Sequence, residues 1–211
     1  MGRRSIHTPE ELRELILQAA TDIVSQNGLE GLSARELAKR IGYSPGTLYN
    51  VFDNLDDLLL TIEARLLDDL AERLAQADTS GTPKERVQKL AETYYAFTQE
   101  CPNLWNLLQQ HRLPADYPIP EWYKSKLESL LVPIQAALEP MLANADANCK
   151  RRAARTFWAT LHGVTSLSTT NKLSPITGSE HGVLVNELVD IYLAGMGKLH
   201  PATVGTKAPA R

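Results

Sequence analysis

Between Ser33 and Asn54 the chain carries the punctuation of two short helices and the start of a third, with almost no linker between them, and few folds accommodate that. Ser33-Ala34-Arg35-Glu36 reads as a capping box, in which the Ser33 hydroxyl bonds the Glu36 amide and the Glu36 carboxylate reaches back. The helix it opens runs to about Arg40. Gly42 stops it, because glycine takes a left-handed backbone at little cost. Ser44-Pro45 opens the second helix, with proline at the first helical position, where its missing N–H is not needed. Leu37, Ile41 and Leu48 supply an inward side, and Ala38 is small enough for two helices to cross closely. Two short helices joined by so tight a turn form a helix-turn-helix corner.

The remaining sequence is helical in pattern almost throughout. Apolar residues recur at spacings of three and four and no convincing period-two alternation occurs, so the expected fold class is all-α. Thr8-Pro9-Glu10-Glu11 starts the first helix and Asn27-Gly28 ends it. Asp53-Asn54 caps a long fourth helix over about 54–78, and the stretch from Asp78 to Pro83 is a loop. Further helices are expected near 83–100, 102–111, 120–143, 147–171 and 181–199. Pro133 kinks or offsets the helix that contains it, and the prolines between Arg112 and Pro120 forbid helix there. These elements divide into a small helical domain over 8–68, a larger helical domain over 69–199, and a disordered tail over 200–211.

The exposed side of the second short helix carries Ser44, Pro45, Thr47, Tyr49 and Asn50, short polar groups and one aromatic beside backbone amides. Such groups suit contact with base edges and phosphates in a major groove. Thr47 can touch a thymine methyl or donate to phosphate, Asn50 can pair bidentately with adenine, and the Tyr49 hydroxyl can bond phosphate. Arg35 can reach guanine or the backbone. The formal net charge of −3 runs against a nucleic-acid partner only if charge is averaged over the chain. Arg3, Arg4, Arg35, Lys39 and Arg40 lie at the corner or its approach, whereas the acids fall heavily after position 53. The competing reading is a helical ligand-binding or interaction protein with no DNA role, for which Thr47 would be dispensable.

Residues 8–68 resemble the N-terminal domain of the TetR family of transcriptional regulators. The match rests on Ser44-Pro45-Gly46-Thr47-Leu48-Tyr49 followed by Phe52 and Leu58, and on Leu37-Ala38, Gly42 and Asn27-Gly28 before it. The resemblance implies that Ser44 to Asn50, Gly46 included, act as a recognition helix and that Arg35 makes a base or backbone contact. Two positions depart from the family pattern. Val51 stands where a His or Tyr is usual, and Leu55 near the usual place of a phosphate-gripping Lys. The consequence is a shallower salt dependence, or compensation by Arg3, Arg4 and Arg35.

In the second part, the run Phe157-Trp158-Ala159-Thr160-Leu161-His162-Gly163 is similar to the Trp…His-Gly signature of one TetR C-terminal subfamily, in which the last two helices pair with those of a second subunit. The last helix here presents Val183, Leu184, Leu188, Ile191 and Tyr192, with Gly195 thinning its end. A homodimer through the last two helices follows, and with it a palindromic double-stranded operator. A pocket for a small apolar or aromatic ligand is expected among Tyr94, Phe97, Trp105, Leu108 and Trp122, together with Tyr123, Leu127 and Trp158, with His111 and His162 as polar anchors. Each of those residues also has an ordinary core reading. No hydrolase, phosphate-loop or zinc-protease motif is present, and the histidines lack metal spacing, so no enzyme activity, cofactor or metal is expected. No apolar stretch is long enough for a bilayer and no secretory signal follows Arg3-Arg4, which points to the cytoplasm, with Cys101 and Cys149 reduced.

Overall fold

The computed structural model describes residues 7–78, 80–169 and 181–199, so Arg3, Arg4 and the tail from 200 lie outside the described residues. Among the described residues there are ten α-helices and no strands: α1 (Pro9–Asn27), α2 (Ala34–Ile41), α3 (Pro45–Leu48), α4 (Leu55–Gln76), α5 (Pro83–Glu100), α6 (Pro102–Gln110), α7 (Glu121–Ser129), α8 (Leu131–Leu138), α9 (Ala147–Ser168) and α10 (His181–Leu199). Among these residues no helix is long and apolar enough to cross a membrane. Nor does any group of three or more His, Cys, Asp or Glu stand placed to hold a metal ion.

The helix starts have local causes. Thr8 and Glu11 form a complete reciprocal box at α1, with the Glu11 amide donating to Thr8 Oγ1 at 3.2 Å and the Thr8 amide donating to Glu11 Oε2 at 2.8 Å. At α2 only half of the expected box forms. Ser33 Oγ accepts from the Glu36 amide at 3.2 Å, while the Glu36 carboxylate stands 3.9 Å from Lys39 Nζ. Asn54 Oδ1 caps α4 by accepting from the Asp57 amide at 2.8 Å.

The single helix expected over 120–143 is instead α7 and α8, followed by a 3₁₀ turn at Glu139–Leu142. Pro133 acts four residues upstream of itself. It cannot donate to the carbonyl of Ser129 and its ring crowds that carbonyl, so α7 ends at Ser129.

Contacts divide the chain into two compact units. The first comprises residues up to 70 together with 98–127, so it is discontinuous in sequence. Its core is built from α1 (Ile16, Leu17, Ala20, Ile23), α2 (Leu37, Ala38), Leu48, Phe52, α4 (Leu58, Leu59, Ile62) and Leu107 of α6. The second comprises 71–97 with 128 onward, in which α8 packs on α9 and α9 on α10. Tyr94, Phe97, Phe157 and Leu161 are among its buried side chains, and on α10 the buried residues are Val185, Val189 and Met196.

Candidate nucleic-acid interface

Gly42 terminates α2 at φ 75°, ψ 26°. Its N–H donates to the Lys39 carbonyl at 3.3 Å and that of Tyr43 to the Ala38 carbonyl at 3.0 Å. This is the paired closure that a left-handed residue makes possible at a helix end. It turns the chain within two residues and delivers Ser44-Pro45 as the start of α3. That helix is four residues long and is held from beneath by buried Leu48. No side chain caps it. Ser44 Oγ instead bonds Thr47 Oγ1 at 3.0 Å. Ser44, Pro45, Gly46, Tyr49 and Asn50 are exposed and Thr47 is half-buried, with Tyr49 keeping 53% of its surface. All six sequence-predicted α3 residues therefore sit on one short segment. Arg35 is exposed on the first turn of α2.

Contacts from α1 and its approach, absent from the sequence reading, fasten both flanks of α3. Before α3, His7 Nδ1 and the Tyr43 hydroxyl are hydrogen-bonded at 2.7 Å. After α3, Arg13 Nη1 donates to the Val51 carbonyl at 3.3 Å, and its guanidinium lies 4.2 Å above the centre of the Phe52 ring. The basic residues of α2 are partly engaged: Arg40 is 3.6 Å from Asp22 and 3.5 Å from Gln26, and Lys39 adjoins Glu36.

The ten expected pocket residues are divided between the two units. Trp105, Leu108, His111, Trp122, Tyr123 and Leu127 belong to the first unit, and Tyr94, Phe97, Trp158 and His162 to the second. Trp122 is 44% exposed and Trp105 is buried. In the second unit the Tyr94 hydroxyl and His162 Nδ1 share a 2.8 Å hydrogen bond, and Trp158 stacks on His162 with ring centres 5.2 Å apart. Burial pushes the His162 imidazole below its usual range, which keeps it neutral, and pushes the Tyr94 phenol well up.

In the first unit His111 has a different partner. Glu63 of α4, only 3% exposed, accepts from the Tyr123 hydroxyl at 2.8 Å and bonds His111 Nδ1 at 2.7 Å, while His111 Nε2 lies 3.2 Å from Asp56. Burial works against the charge on His111, but hydrogen bonding and attraction from Glu63 and Asp56 outweigh it and raise the imidazole above its usual range. Glu63 escaped the sequence reading. Its spacing between Leu59 and Leu66, in the buried stripe of α4, was the available signal.

Of the expected dimer residues on α10, Val183 and Ile191 are 49% and 71% exposed, whereas Leu184, Leu188 and Gly195 are half-buried. Tyr192 serves its own unit, donating its hydroxyl to the Ala153 carbonyl at 2.6 Å and meeting Phe157 edge-on. Ile191, Tyr192 and Gly195 line, with Cys149, Arg152 and Thr156 of α9, a surface groove of about 520 Å³.

Residues 16–62 match the family described as bacterial regulatory proteins, tetR family, and residues 87–192 the one described as tetracyclin repressor-like, C-terminal domain. Over 206 residues the chain is 26% identical to an HTH-type transcriptional regulator of Mycobacterium tuberculosis, covering 96% of this chain and 91% of that one. A tetR-family transcriptional regulator from Streptomyces coelicolor shares the fold with a TM-score of 0.67 at 18% identity, covering 94% of this chain and 85% of that one. The transcriptional regulator FadR from Bacillus subtilis, in complex with stearoyl-CoA, does so with a TM-score of 0.65 at 18% identity, covering 86% and 98%.

Proposed function

The chain belongs to the tetR family of bacterial regulatory proteins, DNA-binding transcriptional regulators, and from that premise we propose that it is a homodimeric repressor which places α3 in the major groove of a palindromic operator and leaves it when a small molecule binds. The observation that carries this reading is the corner itself. An exposed ridge from Ser44 to Asn50 stands on buried Leu48 and is turned outward by left-handed Gly42. On that ridge Thr47 and Asn50 read base edges, Tyr49 and Ser44 bond phosphates, and Pro45 and Gly46 keep the backbone close to the groove. Arg35 adds a guanidinium from α2. Reading is confined to 8–68, and 69–199 holds the ligand and the partner subunit.

Pairing is assigned to α9 and α10. On α10, Val185, Val189 and Met196 are buried in their own unit, while Val183 and Ile191 remain exposed on a helix otherwise rich in apolar residues. A second copy covering that face spaces two reading heads by a fixed distance, which is why a palindrome follows. The ligand class is small and apolar or aromatic, with the Tyr94–His162 pair as its polar anchor. The FadR complex with stearoyl-CoA makes an acyl chain the first candidate to test. Release requires only that the ligand favour the dimer state whose heads are wrongly spaced.

Selection of bound duplexes from a random pool tests the proposal. The wild type is expected to enrich a two-fold symmetric sequence and the Thr47→Ala/Tyr49→Ala variant to enrich none. Enrichment of the same sequence by both sinks the assignment of α3.

A further inference from the structure

We infer that a charge pair between two copies of the chain sets the register of the dimer. Arg152 of α9 receives the partner's Glu187, Glu187 enters the partner's groove in return, and the two α10 helices cross antiparallel about Ile191. The inference rests on α9 and α10 forming the subunit interface.

Most lysine, arginine and carboxylate side chains of these two helices have a partner within the chain. Lys150 pairs with Glu139 at 2.8 Å, Arg155 stands 3.8 Å from Glu128, Arg151 bonds Asn148, and Asp190 pairs with Lys84 at 2.8 Å. Arg152, Glu187 and Lys198 are exposed, and their side chains make no hydrogen bond or ion pair among the described residues. Arg152 feels the N-cap carboxylate of Asp146 only through space.

The unpaired charges are sorted by sign along α10. Arg152 lines the groove beside Ile191, Tyr192 and Gly195, and Lys198 follows Gly195 by three residues. Glu187 lies one turn before Ile191 and Gly195 one turn after it, each about 6 Å away along the helix axis. One end of the face is therefore positive and the other negative.

A two-fold axis relating two such faces lies in the plane between them, and every contact it makes occurs twice. Set parallel to α10, the axis brings Arg152 and Lys198 level with their own copies, where like charges repel. Set across α10 at Ile191, it carries the partner's Glu187 to a place opposite Gly195, between Arg152 and Lys198. Gly195 leaves that place open, since a Cβ there would meet no atom of its own chain within 4 Å. Ile191, 71% exposed in the single chain, is then covered by its own copy at the axis.

Sedimentation of the full chain as wild type, Arg152→Glu, Glu187→Arg and the double variant tests the pair. Each single variant sets like charges face to face twice in a homodimer and is expected to raise the dimer dissociation constant at least about tenfold. The double variant, with the pair reversed, is expected to recover the dimer. Mixing the two single variants is expected to give heterodimers, because opposite charges then meet at both pairs. Dimers retained by both single variants overturn the pair, as do monomers that neither the double variant nor the mixture restores. A single variant that loses helix content is replaced by Arg152→Gln or Glu187→Gln, whose dimer is expected to be weaker and less sensitive to salt. Affinity and salt dependence equal to wild type overturn the proposal there. A dimer that survives Val183→Asp/Ile191→Asp, or a monomeric wild type, is a failure of the α9–α10 reading. A dimer that falls apart in that variant yet survives the charge reversals is a failure of the pair alone.

Discussion

Thr47 and Tyr49 project from a segment whose anchoring is done by Leu48 and Phe52, so truncating them removes the proposed contacts to DNA while leaving the core anchors in place. Each lost contact of this kind is worth about 1–3 kcal/mol, and the Thr47→Ala/Tyr49→Ala pair is expected to weaken operator binding at least about a hundredfold. Its thermal midpoint and dimer mass should stay close to wild type, since Tyr49 is exposed and half-buried Thr47 bonds the exposed Ser44 hydroxyl, and substitutions at such surface sites usually move stability by no more than about 0.5 kcal/mol. Glu63 presents the opposite case. It is charged and almost unexposed, and it holds Tyr123 and His111 together. Glu63→Ala removes the partner of the Tyr123 hydroxyl and of His111 Nδ1, leaving His111 its Nε2 contact with Asp56, and is expected to cost about 3–5 kcal/mol by urea unfolding.

His111 adds a pH signature to that cluster. Its folded pKa is raised above the unfolded value of about 6.5 by Glu63 and Asp56 acting against burial. A raised folded value means that the stabilisation is fully present below the unfolded pKa and fades as pH rises through the folded one. The stability difference between wild type and His111→Gln is therefore expected to shrink as pH rises from about 6 toward 9; a difference constant across that range contradicts the assignment.

At the scale of elements, the turn between α2 and α3 depends on one backbone conformation. A Cβ at Gly42 meets no atom within 4 Å, so the cost of Gly42→Ala is left-handed strain alone, about 1–2 kcal/mol. Gly42→Asn is expected to cost less, because asparagine tolerates that region better. The two variants measured together by denaturant unfolding separate strain from packing. Helix starts such as Thr8, Ser33 and Asn54 were legible in the chain because each cap bonds an amide three residues ahead. The sequence shows the break between α7 and α8 only as a kink or offset at Pro133. Proline interrupts the ladder at the carbonyl four residues before it, and the flanking residues from Glu121 to Leu138 otherwise keep a helical pattern.

For the whole molecule the proposed pairing rests on the exposed residues of α10. Val183→Asp/Ile191→Asp places charge where a partner's apolar side chains are proposed to lie. It is expected to yield monomers by sedimentation and to weaken binding to the palindrome, with helix content unchanged because both positions are exposed in the single chain. Retention of a dimer would place pairing elsewhere.

By itself the sequence determined the helical class and the turn between α2 and α3, because caps, turns and apolar spacing are settled by groups within four residues of one another. The same local logic exposed the polar set from Ser44 to Asn50 before any tertiary contact was known. Only the tertiary structure decided which distant groups meet. Glu63 finds His111 and Tyr123, 48 and 60 residues away, and His7 finds Tyr43 across 36. It also divided ten aromatic, apolar and histidine residues, alike in sequence, between two units. It set Val185, Val189 and Met196 inward and Ile191 outward on one helix. A side chain's type states what it can bond; which face of its helix is covered, and by what, follows from packing that no local pattern records.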